Sequence, residues 1–231
     1  MFALVACNCV HIYSINESLN QLQYILKLSD PKESEAYCTL DWSYRKQGEE
    51  SDLILAVGGS DTKIQILNVS LGKYERTLIG HMNDIHDLKF HPTIKCILLS
   101  ASKDCSIRLW NVDNGIQLAI YAGVDGHFGG VNCIDWHSDG GLFVSGGIDS
   151  CVKIWKITPE VSDHIEKSLQ PSNKVKKFPL HVCLATFSTN KLHNSYVDCV
   201  KFSGNLILSK SVYDGVFLWI PNTKHSPVTP Y

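Results

Sequence analysis

The chain has 231 residues, 44% of them apolar and 10% aromatic, and a formal net charge of −2. That is enough for a sizeable core, and the near-balance of charge excludes attraction to nucleic-acid phosphates by bulk charge. No run of about 18 apolar residues is present to span a bilayer as a helix.

The apolar opening MFALVACNCVHIYSI (1–15) lacks a basic flank and alternates like a strand, so it reads as β-structure rather than a signal peptide. Strands are predicted at 2–6, 9–15 and near 22–28, a partial unit at 2–28 whose first strand is missing, so the chain is expected to begin inside a repeat. A full four-strand set follows at 36–80, with a polar loop at 45–51 between its first two strands. A third set occupies 84–123. The fourth, 130–188, is interrupted by a polar insertion at 158–180 that carries Lys174, Lys176 and Lys177, and in which EVSDHIEKSL reads as a short helix. The last set is 196–221, and the tail 222–231 is expected to be disordered. Short strands, turns of Asp, Gly and Ser, and no long helical period exclude an α/β enzyme fold.

These sets share a written pattern. Gly80-His81 is followed by Trp110, and Gly126-His127 by Trp155, with Asp104 and Asp149 each six residues before the Trp. A period of about 40–45 residues with GH and a terminal Trp is that of a WD-repeat β-propeller. The fold class is therefore all-β, an incomplete propeller of about four to five blades where about seven are usual. The pattern predicts a buried structural tetrad of His81, Ser102, Asp104 and Trp110. In the next blade it predicts His127, Asp149 and Trp155, with Gly147 at the serine place. The copy ending at Trp219 departs: Tyr213 takes the Asp place, Asp214 is one residue late, and His193 is a loose counterpart. In the blade at 36–80, Asp61 stands six residues before Leu67, which replaces Trp.

His81, Ser102 and Asp104 invite a hydrolase reading, but no Gly-rich elbow or oxyanion loop accompanies them. No phosphate-binding or HExxH motif occurs, so no catalytic residue, cofactor or metal is expected. The nine cysteines form no CxxC pair and read as reduced thiols, mostly within strands. Cys7, Cys9 and His11 would share one face of an alternating strand and could make a zinc site on paper, although core packing is the favoured reading.

Several stretches go beyond a generic repeat. GHMNDIHDLKFHP (80–92), LLSASKDCSIRLWN (98–111), GVDGH (123–127), VDCVKFSGNLILSKS (197–211), AYCTLDWSY (36–44) and KKFPLH (176–181) resemble the WD-repeat Polycomb family called EED in vertebrates and extra sex combs in flies. The similarity covers roughly 2–221. It implies a nuclear, non-catalytic subunit of Polycomb repressive complex 2 that supports histone H3 lysine methylation and repression. The implied partners are an Enhancer-of-zeste methyltransferase subunit, other subunits of that complex and the histone H3 tail, with no membrane and no direct sequence-specific nucleic-acid binding. The family holds trimethyl-lysine in an aromatic cage through cation–π attraction. Counting back four residues from Trp42 puts Cys38 at the cage position, and a one-residue slip or bulge would put Tyr37 there. Two readings of Tyr37 stay open, a cage wall or packing between blades. Lys201 stands where the family has a basic residue near the peptide-binding mouth, or is a solvated lysine. The rival function is a generic WD-repeat adaptor of another complex.

Overall fold

A computed structural model describes residues 1–16, 21–30, 32, 34–47, 50–170 and 178–221. The expected tail at 222–231, residues 48–49 of the polar loop and the lysines at 174, 176 and 177 lie outside the described residues.

Five antiparallel sheets follow one another along the chain. The first holds β1 (Phe2–Ala6), β2 (Cys9–Asn16) and β3 (Gln21–Ser29). The second holds β4 (Tyr37–Gln47), β5 (Glu50–Gly59), β6 (Lys63–Asn68) and β7 (Lys73–Ile79), so the stretch taken for a polar loop at 45–51 is largely the tip of a long hairpin. The third holds β8 (Ile85–Phe90), β9 (Ile97–Ser102), β10 (Ile107–Asn111) and β11 (Ile116–Tyr121). The fourth holds β12 (Val131–Trp136), β13 (Leu142–Gly147), β14 (Val152–Lys156) and, after the insertion, a short β16 (Phe187–Thr189). The last holds β17 (Val197–Ser203), β18 (Leu206–Ser211) and β19 (Gly215–Trp219).

Period-two alternation explains the stacking. Each strand sends one set of side chains to each face of its sheet, and both faces of an inner blade are apolar. Leu55, Val57 and Leu67 thus meet Val10 and Ile12 of the first sheet. Leu98 and Trp110 meet Ile54 and Ile66. Phe143 and Trp155 meet Leu109 and Tyr121, and Trp219 and Ile207 meet Val144 and Ile154. The inner strands β4, β8, β12 and β17 lie beside one another, and β5 packs on β8 as β9 does on β12. Because β1 packs on β4 in the same way, it holds the second-strand place of its blade.

The first part of the insertion is the expected short helix. Helix α1 (Pro159–Ser168) starts at Thr158, whose hydroxyl accepts from the Val161 N–H, with Pro159 in the first turn, where its missing N–H costs nothing. Val161 and Ile165 join the core of the third and fourth blades. His164 Nδ1 donates to the Leu118 carbonyl at 3.0 Å. The chain then returns as β15 (Leu180–Val182), which pairs in parallel with β11 and gives the third blade a fifth strand. Asp125, in the GVDGH loop, holds this return by accepting from the Ala185 N–H.

Candidate functional site

The GH-to-Trp signature closes a directional relay. An indole N–H can only donate. Trp110 Nε1 donates to Ser100 Oγ at 2.8 Å, which leaves the serine hydroxyl to donate to His81 Nε2 at 2.7 Å. His81 Nδ1, carrying the ring proton, then donates to Asp104 Oδ2 at 2.8 Å. The serine is Ser100, not Ser102. Ser102 accepts from the Asp104 N–H and donates to the Asn83 carbonyl, so it braces the turn instead. The next blade repeats the relay with Trp155, Ser145, His127 and Asp149, so Ser145 fills the place that Gly147 was expected to leave empty.

Charge follows this geometry. Burial favours the uncharged His81 and lowers its pKa against the pull of Asp104. Burial alone would raise Asp104, but hydrogen bonds from His81, Ser106 and the Met82 N–H hold it well below the usual carboxylate range. Every group is occupied within the fold and none is aimed outward, so the relay is structural.

The last blade keeps three members. Trp219 Nε1 donates to Ser209 Oγ at 3.0 Å, and Ser209 reaches His193 Nε2 at 2.8 Å. Asp214 accepts from the Asn194 N–H at 2.7 Å, as Asp104 does from Met82, but it does not reach His193, whose Nδ1 is buried without a partner.

A second repeated feature lies at the beginning of the inner strands. Tyr37, Ile85, Val131 and Val197 pair with Gly59, Ser102, Gly147 and Ser211, and in each strand the register then slips by one residue. Such a bulge leaves one residue unpaired and re-aims its side chain. The unpaired residues are Cys38, His86, Asn132 and Asp198. Three of them reach the next blade: Cys38 Sγ donates to Ile85 O at 3.0 Å, His86 Nδ1 to Val131 O at 3.1 Å and Asn132 Nδ2 to Val197 O at 3.1 Å. Together they form an arc of polar side chains at one end of the inner strands.

The bulge settles Tyr37. It takes the register place of three buried aliphatic residues, is 6% exposed and donates its hydroxyl to Asp30 Oδ2 at 2.7 Å. Tyr37 packs between the first two blades, the second of its two readings. Cys38 is the exposed member of the pair. Lys201 lies on β17, in another blade from Cys38, and pairs with Asp135 of the preceding blade at 2.8 Å. Cys7 lies in the turn after β1 with φ of 51°, so Cys7, Cys9 and His11 do not form one strand face, and no metal-ligating group occurs among the described residues.

Acidic groups surround the arc. Burial pushes the Cys38 thiol up, and the charges of Asp84, Glu35 and Asp87 push it further. Glu35 is 4% exposed, and burial raises its pKa, with Asp61 and Asp30 adding to the effect and the Lys32 charge and the Ser60 N–H opposing it. Asp87 is already engaged, by Lys89 and the Ile134 N–H. His86, Asn132, Asp198 and Glu35 were not singled out from sequence; for the first three, the recurrent place just after the first inner-strand residue was the available signal.

The WD domain, G-beta repeat family matches residues 72–111 and 119–156. With successive sheets whose inner strands β4, β8, β12 and β17 lie side by side, this defines a WD-repeat β-propeller protein. The chain is 37% identical over 222 residues to Polycomb group protein FIE1 of Zea mays, covering 96% of this chain and 47% of that one. It is 35% identical over 229 residues to Polycomb protein esc of Drosophila melanogaster, covering 97% and 53%. The chain is similar to these esc and FIE Polycomb proteins over nearly its whole length, and it spans about half the length of the curated relatives it matches. Among solved structures, a chain of a humanized mutant of the Chaetomium thermophilum Polycomb Repressive Complex 2 bound to the inhibitor GSK126 superposes with a TM-score of 0.80 at 27% identity, covering 98% of this chain and 48% of that one. A chain of ctPRC2 in complex with H3K27me3 and H3K27M superposes at 0.78 with 26% identity, covering 96% and 46%.

Proposed function

We propose that the chain is a non-catalytic scaffold and histone-binding subunit of Polycomb repressive complex 2, acting in the nucleus to support histone H3 lysine methylation. The observation that carries this reading is the superposition of 98% of the chain on a component of that complex. The fold supports the non-catalytic part, because the only His–Ser–Asp constellations found among the described residues are consumed inside the blades. Its partners are an Enhancer-of-zeste methyltransferase subunit, other subunits of the complex and the histone H3 tail. The tail is read at the polar arc, where the bulged residues face away from their own ladders.

Co-purification tests the assembly. A tagged chain expressed in cells should bring down an Enhancer-of-zeste subunit from nuclear extract at near-equal stoichiometry. Its absence from the eluate, with a folded chain confirmed by circular dichroism, refutes the assignment.

A further inference from the structure

We draw no further inference here: the strongest candidate, the open groove of about 640 Å³ that Trp42, Tyr44, Leu53, Phe90 and Pro92 line beside Lys95, between the β4–β5 hairpin and the turn after β8, carries no proposal because nothing in the structure shows what covers it.

Discussion

Trp110 and Trp155 hold their serines in one orientation because an indole can donate but never accept, and that single constraint orders each relay down to its carboxylate. It yields a test that separates Ser100 from Ser102. Ser100→Ala combined with Trp110→Phe should show a coupling of about 0.5–3 kcal/mol, since both side chains belong to one network, whereas Ser102→Ala with Trp110→Phe should be additive within about 0.5 kcal/mol. Urea denaturation of the six proteins measures both cycles, and equal couplings would contradict the relay. The sequence pointed to the wrong serine for a simple reason. Ser100 and Ser102 lie two residues apart on β9 and so share a face. The discriminating regularity is the distance to the tryptophan: Ser100, Ser145 and Ser209 each precede theirs by 10 residues. Tyr37 and Cys38 were undecidable from sequence because a bulge, which shifts a strand by one residue, leaves no mark in the residue count.

The same network sets a pH dependence. Asp104 takes up its proton at lower pH in the folded chain than in the unfolded one, so the stability it adds is full above about pH 4 and is lost as pH falls toward its depressed folded value. His81 is protonated more readily when unfolded, so acidification below about pH 6.5 also favours unfolding. The urea midpoint should therefore fall from pH 7 to pH 4 and again below pH 4. Asp104→Asn should weaken the second decline; an unchanged profile would show that the carboxylate is not the titrating group.

Among the elements, the third blade is better supported than the last. The third has a complete relay, a fifth strand in β15 and the cover of α1. The last has three strands among the described residues and a histidine without its carboxylate. Amide hydrogen exchange should be slowest in β8–β10 and faster by at least tenfold in β17–β19. Uniform protection would contradict this ranking. Neighbouring inner strands are joined by recurrent aspartates: Asp41 accepts from the Phe90 N–H, Asp87 from Ile134 and Asp135 from Phe202. Asp135→Ala removes one of the links between the last two blades and leaves the Phe202 N–H and Lys201 without their carboxylate, at a cost of about 1–3 kcal/mol. A thermal melt unchanged by the substitution would count against the link. Long alternating strands were legible in the sequence because period two and the GH-to-Trp spacing agree. β15 and β16 were not, because three residues carry too little alternation and their pairing partners are fixed by tertiary contact.

At the scale of the molecule, family and fold are carried by different parts of the chain. The tryptophans, histidines and turn aspartates specify a propeller and nothing more. Stretches such as VDCVKFSGNLILSKS narrow it to the Polycomb family, and the relatives agree at 37% and 35% identity. The proposed function rests on what the blades leave outward, which no local pattern announces. The most direct test of the role is omission from a reconstituted Polycomb repressive complex 2. With this chain as its WD-repeat subunit, the complex should methylate histone H3 at least tenfold faster than the same mixture lacking it, while the chain alone shows no transfer. Equal rates with and without the chain, or methylation by the chain alone, would contradict a non-catalytic scaffold.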